Sequence, residues 1–369
     1  MVLPLVAVAL SSIGAGGVTT DGQPAEGSLV ARYARGDFAA VAGVTADRAA
    51  AISAVRRDVK NATGLSPQAR SAFLVEAIDA AQHQPSSRTD APQVIDEAIR
   101  GMFEDGCDLL RALPAEDRFV RAWFAAATAA LAGGRAGQGT PSLGAQGGRP
   151  GIFARDASRF DGHVDAGAIA LGQALGIEGL AWSRIYESHA DERLAATTSP
   201  EFSDRIEPGR RERTLQAEAD AVRRAVAALK KAEAFESARA EALMREAALV
   251  AASGRPADAI TLFEQTATLA RDEWVGYLAH LLEGRALEAV GRESDAEAAY
   301  KAALAIRPRA RSANLALAAI TFARGARADA ALGNVFDRQA DATDPWAQFA
   351  FGDYRFWPSR RDELRRAIK

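Results

Sequence analysis

Three glycines at repeating offsets, Gly254, Gly291 and Gly325, constrain this chain more than any other feature. Alanines follow each by five residues, at Ala259, Ala296 and Ala330. The second and third units are offset by 34 residues at both positions, and the first and second by 37. The segment SGRPADAITLFEQTATL aligns with VGRESDAEAAYKAALAI, with an aromatic four residues after the alanine, Phe263 and Tyr300. Apolar residues recur at helical spacing on both sides of each glycine, so a helix A precedes the turn and a helix B follows it. A tight turn of this kind needs the positive φ or close approach that glycine allows. Ala259 and Ala296 let helix B lie close to helix A. Gly284, with counterparts Ala247 and Ala318, thins helix A where a neighbour crosses, and Phe263 and Tyr300 fill the gap between units. One such hairpin cannot bury its apolar face alone. The expected fold is therefore all-α, with helix–turn–helix repeats stacked as an α-solenoid.

The best unit carries Gly284, Leu287, Ala296, Tyr300, Ala303 and Pro308, the last ending helix B. This pattern over residues 237–334 resembles the tetratricopeptide repeat (TPR) family. The third unit departs from it, since Asn334 stands where the helix B aromatic belongs. The resemblance implies that helix A residues line a concave groove that binds peptides or protein segments. Carried over by position, the groove residues are Glu241, Met244 and Ala248 in the first unit. In the second they are Leu278, Leu281, Arg285 and Glu288, and in the third Leu315, Ala319 and Phe322. For each of these positions, packing between helices is the alternative role.

Upstream, Met1–Leu10 reads MVLPLVAVAL, and small residues follow it. The run is about half the ~20 residues that span a bilayer. An apolar segment followed by small residues reads as a secretory signal peptide over residues 1–17, although no Lys or Arg precedes it. Export to the periplasm or outside is expected, and a cytoplasmic location is the alternative. Residues 18–27 read as a flexible lead, and 28–133 as an N-terminal helical region, for which divergent repeats are one reading. Helices are expected at about 46–60, 67–83, 91–112 and 115–132, with Pro67, Pro92 and Pro114 near their starts, where a missing N–H costs nothing. Residues 134–151 form a glycine-rich linker. Gly134 and Gly139 have phosphate-loop spacing and Thr140 follows, but the lysine and the preceding strand are missing. Residues 152–236 are again helical.

The carboxy-terminal segment 335–369 holds Trp346, Phe349, Phe351, Tyr354, Phe356 and Trp357, six of the chain's 25 aromatics within twelve residues. Asp344-Pro345 reads as an N-cap followed by proline at the first helical position. The run reads as a cap that seals the solenoid, with a docking patch for a partner as the rival reading. The ending DPW…GDYRFWP also resembles that of exported bacterial TPR proteins encoded beside von Willebrand A-type domain proteins. That likeness implies a partner of that kind.

Catalytic and metal-binding motifs are not found in the sequence. The four histidines, His83, His163, His189 and His280, are scattered, and none has a second histidine at metal spacing. Asp161, His163 and Asp165 alternate near a helix start, where capping accounts for them. One cysteine, Cys107, excludes a disulfide framework within the chain and reads as a buried small residue. Net charge is −3, and arginine is interleaved with Asp and Glu, so no basic stripe suits nucleic acid. The expected function is a non-enzymatic protein–protein interaction scaffold with no cofactor and no metal. The alternative is an enzyme with its active site in residues 28–210 and the repeats as a recruiting module.

Overall fold

The repeat glycines set the turns as the pattern demands: Gly254, Gly291 and Gly325 have φ of +83°, +78° and +73°. At the first turn the Arg255 N–H donates to the Val250 carbonyl, and at the second the Arg292 N–H donates to that of Leu287. Each glycine N–H closes a shorter loop, onto Ala251 and Glu288 respectively. These paired bonds satisfy carbonyls that helix A would otherwise leave open. Gly36, with φ +92°, is built the same way, since Asp37 N–H reaches back to Arg32.

The computed structural model describes residues 27–44, 49–82, 92–114, 117–131, 165–197, 209–325, 332–333, 335, 344–350 and 357–369. The expected signal segment 1–17, nearly all of the lead 18–27, the linker 134–151, Ala330, Asn334 and most of the aromatic run after Phe349 lie outside the described residues. Every regular element among the described residues is helical. The fold is an all-α stack of consecutive helices. The chain divides into two units, one of Met1–Ala81, Ser86–Leu110 and Ile368–Lys369, the other of Gln82–Pro85 and Arg111–Ala367.

The first unit contains α1 (Leu29–Ala34), a short 3-10 helix (Phe38–Gly43), α2 (Ala49–Asn61), α3 (Pro67–Gln82) and α4 (Pro92–Leu110). Proline opens both α3 and α4, as expected. α3 is buried almost all round, from Ala72, Phe73 and Leu74 to Val75, Ala77 and Ile78, the pattern of a central helix. Tyr33 meets the rings of Phe38 and Phe73 edge-on and donates to Glu76 at 2.7 Å. Asp105, nearly buried, is held by Arg56 at 2.6 Å and Lys60 at 2.8 Å. Cys107 is buried.

The second unit comprises α5 (Arg118–Leu131), α6 (Ala166–Thr197), α7 (Arg210–Glu233), α8 (Glu236–Ala252) and α9 (Pro256–Leu269). It continues through α10 (Glu273–Ala289), α11 (Glu293–Ile306), α12 (Arg311–Ala323), α13 (Pro345–Ala350) and α14 (Trp357–Ala367). α5 starts at Arg118, four residues after Pro114, because Asp117 takes the N-cap and accepts from the Phe119 N–H at 2.7 Å. Asp165 caps α6, accepting from the Gly167 N–H, and takes the Ser237 hydroxyl at 2.7 Å, which ties the starts of α6 and α8 together.

From α6 to α12 each helix packs on the next in chain order. α6 also touches α8, and α8 touches α10, whereas no comparable contact joins α7 to α9 or α9 to α11. α6, α8 and α10 therefore form a row whose members touch one another as well as their neighbours in the chain. Within a hairpin, Ala259, Ala296, Phe263 and Tyr300 are fully buried. A side-chain carbon at Gly284 would overlap the Tyr300 ring, so the thinned position on helix A is occupied by the aromatic of its own helix B. Asn314 donates to the carbonyls of Pro308 and Ala310, fixing the turn from α11 to α12.

Candidate functional site

Charged side chains in the middle of apolar helices form the core of the A-helix face. Arg245 on α8 has no exposed surface, yet it donates to Glu178 on α6 at 2.9 Å and twice to Glu241, at 2.8 and 3.0 Å. Glu178 also takes the Trp182 indole N–H at 3.1 Å, and Glu241 pairs with Arg360 of α14. Two carboxylates and two guanidiniums thus balance. Burial alone would discharge Arg245, but Glu178 and Glu241 outweigh it and hold the guanidinium above its usual pKa. Burial works against the Glu241 charge as well, and there Arg360 and Arg245 prevail and keep the carboxyl below its usual range. At Glu178 burial wins, and its carboxyl is pushed up.

The chain's own carboxy-terminal segment lies across this face. Asp344, 3% exposed, takes the Tyr277 hydroxyl at 3.1 Å and the Ser312 N–H at 2.8 Å, and caps its own helix through the Trp346 N–H at 3.0 Å. Burial beside that carboxylate pushes the Tyr277 hydroxyl well above its usual pKa, so it stays a donor. The Arg285 guanidinium stacks over Trp346 at 3.8 Å, and burial lowers its pKa. Phe349 meets Trp182 edge-on at 5.0 Å, and Arg360 lies over Trp274 at 4.7 Å. α14 packs against α5. The receiving groups come from α6, α8, α10 and the start of α12.

The residues assigned to the groove by position fall into three sets. Met244, Leu278 and Leu281 have no exposed surface, and Ala248 has almost none; they pack within the core. Glu241 and Arg285 touch the tail. Glu288, Leu315, Ala319 and Phe322 are exposed, Leu315 at 55% and Phe322 at 76%. Glu288 accepts from the Tyr300 hydroxyl. Leu315, Ala319 and Phe322 lie four and three residues apart on α12, which puts them on one helix face.

Glu178, Arg245, Arg360, Tyr277 and Trp182 were not singled out by sequence reasoning. The available signal was a charge inside an otherwise apolar helical run, as at Arg245 in LMREAALV and Glu178 in LGIEGLAW. Such a charge needs a buried partner. Among the described residues no group of three His, Cys, Asp or Glu is placed to hold a metal ion, and no helix is long and apolar enough to cross a membrane. Comparison with protein-family models and with curated proteins finds no match to this chain.

Proposed function

We propose that this chain is a non-enzymatic protein–protein interaction scaffold of the tetratricopeptide-repeat kind, exported to the periplasm or secreted, whose A-helix face takes a segment of a partner protein. One observation carries the reading. The face already holds a short helical segment by a capped carboxylate, a stacked indole and an edge-on phenyl ring, which is how a peptide-binding surface holds a peptide. The positive-φ glycine turns and the fit of Tyr300 into Gly284 support the repeat assignment. Leu315 and Phe322, exposed on one face of α12, offer further apolar surface for a partner. The proposed partner, from the likeness of the chain's ending, is a von Willebrand A-type domain protein.

Affinity capture from cell envelopes tests this, with full-length wild type set against a Leu315→Ala, Phe322→Ala variant. The expected result is a protein enriched by wild type and lost with the variant, at unchanged helicity and melting temperature. Capture that is identical for the two proteins, or absent from both, removes this face as the binding site.

A further inference from the structure

We infer that the carboxy-terminal segment beginning at Asp344 is an intramolecular ligand of the A-helix face, and that the partner segment this face takes has the same chemistry: a carboxylate-capped turn followed by an indole and a phenyl ring. The inference rests on the interaction-scaffold reading and deepens it by naming what the partner presents.

The receiving side is complete for such a segment. Two donors from different helices, the Tyr277 hydroxyl on α10 and the Ser312 N–H on α12, converge on one carboxylate. Arg285, two turns beyond Tyr277 on the same helix, offers a flat cation to an indole. Trp182 on α6 meets the phenyl group of Phe349 with the two rings at right angles. The Tyr277 hydroxyl gives its proton to the segment, and Tyr277 is fully buried with the segment in place. A segment lacking the carboxylate would leave the hydroxyl proton buried without its acceptor, which discriminates among partners.

The occupant is also built to exchange. Over its described span Pro345–Ala350, α13 sets Trp346 and Phe349 against the face. Tethering sets its effective concentration at about the millimolar level. A free segment of modest affinity is then held off, while one that also engages Leu315 and Phe322 on α12 displaces it.

The test uses the full chain and a fluorescently labelled peptide of residues 341–351. A full-length Asp344→Ala, Trp346→Ala variant loosens the tail and leaves the receiving face intact. That variant is expected to bind the peptide about tenfold more tightly than wild type, because its own tail no longer competes. Adding Arg285→Ala to the variant is expected to abolish the gain. Equal binding by wild type and the loosened variant, or binding indifferent to Arg285, overturns the inference. Hydrogen exchange on wild type gives an answer that needs no substitution: saturating peptide should speed exchange at residues 344–350, and unchanged protection overturns displacement. Concentration-dependent dimers of wild type that the loosened variant does not form would make a second copy the occupant, and overturn the partner assignment. Capture that depends on Leu315 and Phe322 without peptide exchange would leave the scaffold function standing and remove this inference alone.

Discussion

The guanidinium of Arg285 lies 3.8 Å from the centre of the Trp346 ring, so a residue carried into the groove by repeat position stacks on a residue of the chain's own tail while keeping part of its surface exposed. Burial lowers the arginine's pKa, yet at neutral pH it remains charged, since arginine titrates far above that range. The pair is thus a cation over an indole in a partly dry setting. Its strength can be isolated by a double-mutant cycle on Arg285→Ala and Trp346→Ala, read by urea unfolding. We expect a coupling of about 0.5–1 kcal/mol. A coupling of zero would mean that the two side chains are adjacent without supporting each other.

Arg245 is the single cation shared by Glu178 and Glu241 in the core. Replacing it by leucine leaves two carboxylates in a dry site, one of them still paired to Arg360. The expected loss is about 3–5 kcal/mol, the usual effect of removing one member of a buried ion pair. Adding Glu178→Leu to Arg245→Leu is expected to recover a large part of it, because the orphaned charge goes with its partner. Thermal unfolding of the two variants checks both statements.

Gly284 is where helix A gives way to the Tyr300 ring. Gly284→Ala is expected to lower stability by about 1–3 kcal/mol through overpacking, despite alanine's better helix propensity. A Gly284→Ala, Tyr300→Leu protein, which trades the ring for a smaller side chain, should be more stable than Gly284→Ala alone. Circular dichroism melts of the three proteins decide the point.

Glu233 near the end of α7 faces Glu246, and burial with that second carboxyl pushes its pKa from the ordinary 4.5 to about 8. Below pH 4.5 the group is protonated in both the folded and unfolded chain. Between pH 4.5 and about 8 the unfolded chain releases a proton that the folded chain keeps, so stability falls as pH rises through that window. Glu233→Gln is expected to flatten this slope and to raise stability at pH 8. The gain should stay below about 1 kcal/mol, since the side chain is only partly buried. Urea titrations at pH 5, 6.5 and 8 on both proteins measure it.

The sequence by itself determined the local parts. Glycine spacing predicts the positive-φ turns at 254, 291 and 325, and helical periodicity locates α2 to α5 within a few residues. Pro67 and Pro92 open their helices, and Asp344 caps α13 from within its own turn. Each of these follows from chemistry within about five residues of the chain, which is the reach of capping, backbone φ and helical spacing. What Arg245 pairs with was decided by tertiary structure, since Glu178 is 67 residues away, and Arg360 lies 119 residues from Glu241. Groove positions taken from repeat spacing identify a helix face, but they do not distinguish Met244 and Leu281, sealed by neighbouring helices, from Phe322, left bare. The aromatic tail reads from sequence as a cap on the solenoid, with a docking patch for a partner as the rival, because both call for apolar bulk. Only the fold, by bringing Tyr277, Ser312, Arg285 and Trp182 to one surface, gave Asp344, Trp346 and Phe349 a place to bind.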